Sequence, residues 1–229
     1  MRIAVLGANG FIGSAVSCRL KEEHEVIGIT KEEYRYFLGA TFDVLVNCNG
    51  NSRKFWANNN RKEDFKLSVQ SVYDSLCDFK FGKYVYISSM DVYVNNPYGY
   101  NKKIAERLIG DATHNHVFLR CSSVIGRSMK KGVVKDIMDD QPVFISPDSR
   151  IELITNTDIA RVVDEVISLN LMTQAINVGS TTTITVDEIA SFFGKAVKYS
   201  DVTETHVFDY PVDKRFRFKT AVEYLEWLL

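Results

Sequence analysis

Apolar and polar positions change their period several times along the chain, and each change marks an element. Arg2 to Leu6 is a short apolar run stopped by Gly7, which reads as a buried strand, and Ser14 to Lys21 reads as a helix. Glu25 to Ile29 is a second strand, and Phe42 to Cys48 a third, buried from Asp43 onward. Between them, Lys31 to Ala40 leaves room for one short helix around Glu32 to Leu38. Phe65, Leu67, Val69, Val72, Tyr73, Leu76 and Phe79 are spaced for a helix from Asp64 to Phe79, covered on two sides. The polar run Asn58 to Lys62 before it reads as a loop. Tyr84 to Ile87 is aromatic and β-branched, hence a strand. Pro97 suits the first turn of the next helix, because its missing N–H costs nothing there.

The pattern continues with a strand at His116 to Leu119 and a helix at Gly132 to Met138. Pro142 to Ile145 and Arg150 to Ile154 look like a small hairpin around Ser146 to Ser149. Asp158 to Leu169 reads as a helix capped by Thr157, and Ala175 to Val178 as a strand. Thr185 and Glu188 form a capping box that opens a helix running to Phe193. Phe216 to Leu229 closes the chain with an amphipathic helix around Ala221, Leu225 and Leu228. Strands alternating with helices give an α/β class and a parallel sheet.

Length and composition narrow the possibilities. The 229 residues suffice for one α/β domain or one and a half, and the 45% hydrophobic content supplies a sizeable core. A net charge of −1 suggests neither a nucleic-acid nor a membrane partner. No apolar stretch approaches membrane-spanning length, and Met1 to Leu6 is too short for a signal peptide, so a cytoplasmic protein is expected. Cys18, Cys48, Cys77 and Cys121 have no paired spacing and read as reduced, buried small hydrophobes. His114 and His116 lack a third ligand nearby, so no metal is expected.

Two stretches carry chemistry. Gly7-x-x-Gly10-x-x-Gly13 lies between a strand and a helix. There a tight turn, an approach of backbone to pyrophosphate and a close helix–strand contact each exclude a Cβ, so the stretch points to dinucleotide binding. The helix N-terminus adds free N–H groups for the phosphates. At the end of the second strand, Thr30 and Lys31 stand where a carboxylate would favour NAD. A hydroxyl and a cation suit the 2′-phosphate of NADP better, although Thr30 with Glu33 also reads as a capping box. The second stretch runs from Lys83 to Arg107. Ser88 and Ser89 end its strand, and Tyr98 and Lys102, four apart, share one face of its helix. Lys102 would favour the Tyr98 phenolate and draw its pKa toward neutrality, fitting the phenol to exchange protons with a substrate hydroxyl.

Gly7 to Gly13, Tyr86 to Tyr93 and Tyr98 to Glu106 together resemble the extended short-chain dehydrogenase/reductase superfamily, the nucleotide-sugar epimerases, reductases and dehydratases. Weaker echoes at Leu119 to Gly126, Thr155 to Ala160 and Ile176 to Gly179 spread the likeness over nearly the whole chain. The resemblance implies a Rossmann-type doubly wound parallel sheet with a small C-terminal substrate lobe. Residues 1–126 would form the NAD(P)-binding domain, completed by about 155–180, and residues 127–229 the lobe interleaved with the last sheet elements. It implies cofactor contacts from Gly7, Gly10, Phe11, Ile12 and Gly13, from Thr30 and Lys31, and from Asn49 and Gly50. Ser88, Tyr98, Lys102, Cys121 and Ser122 complete that set, with NADP favoured over NAD.

The same resemblance gives the catalytic residues roles. Tyr98 would exchange a proton with a sugar hydroxyl or carbonyl, Lys102 would bond the cofactor ribose, and Ser89 rather than Ser88 would hold the reacting oxygen. Asp91 occupies the base position of dehydratases, but Met90 cannot serve as their acid, so epimerase or ketoreductase ranks above dehydratase. Asp91 also reads as a loop carboxylate capping nearby N–H groups. Intact Ser89, Tyr98 and Lys102 argue against a non-enzymatic NADP sensor, which need not keep them, while the shortened lobes would allow an assembly subunit beside a larger enzyme. The expected partners are a nucleotide sugar and a second copy of the chain in a homodimer. The chain departs from the family in two places. The Lys31 to Ala40 interval is too short for the usual outer strand and its adenine-contacting acid, and only Val94 to Pro97 separates Tyr93 from Tyr98.

Overall fold

The structure is a computed structural model that describes residues 1–229. In chain order it contains β1 (Arg2–Leu6), α1 (Phe11–Leu20), β2 (Glu25–Ile29), β3 (Thr41–Asn47), α2 (Lys54–Asn59), α3 (Arg61–Phe65) and α4 (Ser71–Asp78). Then come β4 (Lys80–Ser89), α5 (Pro97–Ala112), β5 (His116–Cys121), β6 (Ser123–Ile125), α6 (Val133–Met138), β7 (Arg150–Ile151) and β8 (Leu153–Thr155). The last elements are α7 (Asn156–Ser168), β9 (Gln174–Val178), β10 (Ile184–Thr185), α8 (Val186–Phe192), β11 (Thr205–His206) and α9 (Ala221–Glu226). The chain divides into two compact units, one of residues 1–120 with 159–176 and one of residues 121–158 with 177–229.

The first unit is built on a six-stranded parallel sheet in the order β2-β1-β3-β4-β5-β9. Its middle strands are continuous apolar runs because helices cover both faces. Ile3, Ala4, Val5, Leu45, Val46 and Leu119 are wholly buried. Tyr84 is wholly buried too, and its phenol is satisfied by the Asn47 amide and the Ser75 hydroxyl, each at 2.7 Å. The sheet ends at β2, as the short interval after it requires. Residues 34–37 form a single 3-10 turn instead of an outer strand, with Tyr34 edge-on to Phe79 at 5.0 Å and bonded to Asp78 at 3.0 Å. Lys83, almost fully buried, donates to Asn170 Oδ1 and Leu171 O just beyond α7, and burial pushes its pKa down.

Several boundaries differ from the sequence reading. The helix expected from Asp64 begins at Arg61 and is interrupted by a π turn at Lys66–Gln70. Part of the expected loop belongs to α2, whose six residues are too few to show a period. Pro97 is the first residue of α5, and the Asn96 side chain caps that helix by accepting from Gly99 N at 2.7 Å.

The second unit contains the pair β6–β8, parallel, and the small sheet β10-β7-β11. The expected hairpin is absent. Residues 142–145 lie instead along 198–202, through Val143 N to Lys198 O and Ser146 N to Val202 O, and Pro142 has no N–H to give a ladder. β7 pairs antiparallel with β10 and parallel with β11. Thr155, not Thr157, caps α7, since its hydroxyl accepts from Asp158 N at 3.0 Å. Thr185 and Glu188 do form a capping box, and so do Thr220 and Glu223, which shorten the last helix to α9. Cys121 is buried, but Cys18 and Cys77 are exposed on the outer faces of α1 and α4, against expectation. No helix is long and apolar enough to cross a membrane.

Candidate active site

The carboxyl end of β1 turns sharply at Gly7, whose φ of +73° favours glycine. Gly7 O accepts from Gly10 N at 2.9 Å, and a Cβ on Gly13 would lie 2.1 Å from the same oxygen. Strand, turn and α1 therefore approach as only glycine permits. Gly10 is exposed at the start of α1 and no side chain caps that helix, while Phe11 and Ile12 are half-buried in its first turn. This open helix start suits the pyrophosphate of a dinucleotide. At the end of β2 the half-buried Thr30 donates to Glu33 at 2.8 Å, and Lys31 is exposed. Thr30 caps no α-helix, because the chain here makes only the 3-10 turn.

The glycine turn continues into the other candidate residues. A Cβ on Gly7 would meet Asn49 at 3.3 Å, and one on Gly50 would lie 3.7 Å from Lys102 Nζ. Lys102, nearly buried, donates to Tyr86 OH at 3.2 Å and Ile87 O at 3.3 Å. Its ammonium also stands 5.8 Å from the centre of the buried Tyr98 ring. Ser89 Oγ donates to Asp91 Oδ2 at 3.1 Å and accepts from Asp91 N. Gly7, Gly50, Ser89, Tyr98 and Lys102 thus form one strip along the carboxyl ends of β1, β3 and β4.

Burial pushes the Tyr98 phenol above its ordinary value of 10.0. Lys102 opposes that rise, Asp91 and Tyr86 add to it, and Ser89 opposes it weakly. The expected shift toward neutrality is therefore corrected: desolvation of the phenolate outweighs the nearby ammonium.

Ser88, beside Ser89 at the end of β4, bonds instead to Glu106 on α5. Its hydroxyl donates to Glu106 Oε1 at 2.6 Å, and Arg120 bonds both oxygens of Glu106 and reaches Tyr93 OH at 2.6 Å. Cys121 and Ser122 belong to the second unit. There Ser122 Oγ and Glu152 Oε2 are buried without hydrogen-bond partners beside Gly179.

Sequence reasoning missed four supports of the site. Asp64, wholly buried, accepts from Asn51, Ser68 and Asn101 at 2.8, 3.1 and 2.7 Å, tying the turn after β3 to α5. Glu106 ties α5 to the ends of β4 and β5. Gly99 lets α5 touch the 3-10 turn Met90–Tyr93, and Lys54 on α2 pairs with Asp91 at 3.8 Å. Only Gly99 left a signal, a glycine inside an otherwise good helix.

The model of the NAD dependent epimerase/dehydratase family matches residues 3–179. No curated protein matches the sequence. Among solved structures, the dTDP-4-dehydrorhamnose reductase of Bacillus anthracis, in complex with NADP, is 16% identical, with 99% of this chain and 96% of that one covered and a TM-score of 0.77. The UDP-glucuronic acid 4-epimerase of Bacillus cereus, a mutant bound to NAD and a fluorinated UDP sugar, is 18% identical, with 97% and 91% covered and a TM-score of 0.73. The UDP-N-acetylglucosamine 4-epimerase of Methanobrevibacter ruminantium is 14% identical, with 100% and 99% covered and a TM-score of 0.77. At these identities the likeness shows the fold.

Proposed function

The chain belongs to the NAD-dependent epimerase/dehydratase family, and from that premise we propose that it is an NAD(P)-dependent epimerase or ketoreductase acting on a nucleotide sugar through Ser89, Tyr98 and Lys102. The observation that carries this reading is the continuous strip from the glycine turn through Gly50 to Lys102, Tyr98 and Ser89. The turn Gly7–Gly13 would hold the cofactor pyrophosphate, and Lys102 its ribose. When bound, the nicotinamide supplies the hydride chemistry. Tyr98 moves a proton at the reacting sugar oxygen, and Ser89 orients that oxygen. Lys102 stabilises the phenolate against burial.

Asp91 supports the ranking against a dehydratase. Both of its oxygens are engaged, one by Ser89 and the other by Asn96 at 2.9 Å and Lys54 at 3.8 Å, which leaves it a poor general base. A preference for NADP rests on exposed Lys31, with Glu33 beside Thr30 as the opposing charge. A homodimer through α3, α4 and α5 is supported by the exposed Phe65, Leu67, Tyr73 and Tyr100 on and between these helices.

The test is turnover of a nucleotide-sugar panel followed by cofactor absorbance, with NADPH and NADH run in parallel. Tyr98→Phe should lower turnover by at least about 10²-fold and leave calorimetric cofactor affinity nearly unchanged, because the ring still packs while its proton is gone. Turnover that survives Tyr98→Phe overturns the assignment.

A further inference from the structure

Lys54 opens α2 at the end of a helix where the dipole disfavours a cation. It nevertheless turns to Asp91 at 3.8 Å, with only 19% of its side chain and 8% of that of Asp91 exposed. Asp91 is in turn the residue that fixes Ser89, accepting from Ser89 Oγ and donating its backbone N–H to the same atom. A chain of contacts therefore runs from α2 through the 3-10 turn Met90–Tyr93 to Ser89 and the Tyr98 phenol.

We propose that Lys54 is a positioning residue for the Ser89–Tyr98 pair, acting through Asp91. It holds the Asp91 carboxylate in the orientation that locks the Ser89 hydroxyl, and it neutralises the one anion that faces Tyr98. This rests on the reading of Tyr98 as the proton-exchanging group. The groups facing Tyr98 are Lys102 on its own helix, Asp91 on the 3-10 turn, and Tyr86 and Ser89 on β4. Of these, Asp91 is the carboxylate and raises the phenol. Without Lys54 the full charge of Asp91 acts on Tyr98, and the carboxylate is free to turn from Ser89. Asn96 on Oδ1 and Ser89 itself on Oδ2 are then its remaining partners.

The experiment follows the Tyr98 phenol directly, so it needs no substrate. Protein labelled at tyrosine Cζ is titrated by NMR, with Tyr98 assigned by Tyr98→Phe. Lys54→Met should raise the Tyr98 midpoint by on the order of one unit, as expected for an unmasked neighbouring charge. Lys54→Arg should restore it. Asp91→Asn should lower the midpoint, and Lys54→Met added to Asp91→Asn should then change nothing. An unchanged midpoint in Lys54→Met, or an equal rise in the Asp91→Asn background, overturns the proposal. Once a substrate is found, Lys54→Met should move the pH profile of kcat by the same amount with KM for the cofactor unchanged. If no nucleotide sugar is turned over, the reading of the function fails while the titration still judges Lys54.

Discussion

Gly99→Ala offers a direct test of how the two halves of the site are held together. Gly99 follows Tyr98 in the first turn of α5. A Cβ there would lie 1.9 Å from Asp91 O, 2.7 Å from Asp91 C and 3.0 Å from Val94 O. These are backbone atoms, and Asp91 O is already engaged by Val94 N at 2.9 Å, so no side chain can swing aside. Carbon atoms approach oxygen at roughly 3.4 Å or more, so α5 and the 3-10 turn must part by at least about 1 Å. Overpacking of this kind costs about 1–3 kcal/mol. In a chain of this length that is a fall in melting temperature of at least about 2 °C. The catalytic cost should be larger. Tyr98 and Lys102 move with α5, whereas Ser89 and Asp91 stay with β4, and a misplacement of about 1 Å can cost about 10²-fold in rate. Thermal unfolding by circular dichroism and steady-state turnover measure the two effects. If the cofactor pyrophosphate binds the glycine turn as proposed, cofactor affinity should fall less than turnover. A Gly99→Ala protein that melts and turns over like the parent would refute the close contact as the device that aligns the site.

Glu152→Gln should change the pH dependence of stability. Burial raises the Glu152 carboxyl from 4.5 to about 7, so its contribution is fully present below the unfolded value and is lost as pH rises toward 7. The parent should therefore lose up to about 3 kcal/mol between pH 4.5 and 8 that the glutamine variant keeps, and equal slopes in denaturant melts would refute this. If Tyr98 exchanges the proton as proposed, its raised phenol should make the two directions of reaction respond oppositely to pH. Carbonyl reduction, which needs a protonated donor, should hold through pH 9, while alcohol oxidation should climb with pH; parallel profiles would contradict Tyr98 as the group concerned.

The strands of the sheet were legible because each is a short apolar run bounded by turn residues, and parallel strands covered on both faces keep that signature. The glycine turn and the Tyr98–Lys102 pair were legible because their partners are close in sequence: Gly7 packs on Gly13 across one turn, and residues four apart share a helix face. The hairpin misread has the opposite cause. Residues 142–145 pair with 198–202, and no local pattern announces a partner so far along the chain. The π turn at Lys66–Gln70 was equally hidden, since it changes hydrogen bonding while the apolar spacing stays helical.

Charge balance at Tyr98 shows why residue spacing alone does not set the direction of a phenol's shift. Spacing supplies Lys102, and Lys102 alone draws a phenol down. Spacing does not supply the burial of the ring, the carboxylate of Asp91 from the preceding turn, or the Tyr86 phenol from β4, all of which push it up. Asp91 faces Tyr98 only because Gly99 lets the two segments touch, and Lys54 meets Asp91 only because α2 folds back toward that turn. A buried phenol between one ammonium and one carboxylate is held toward its protonated form. On the proposed reading of Tyr98 as the proton-exchanging group, that state would favour delivery of a proton to a carbonyl oxygen, the step shared by a ketoreductase and the second half of an epimerase.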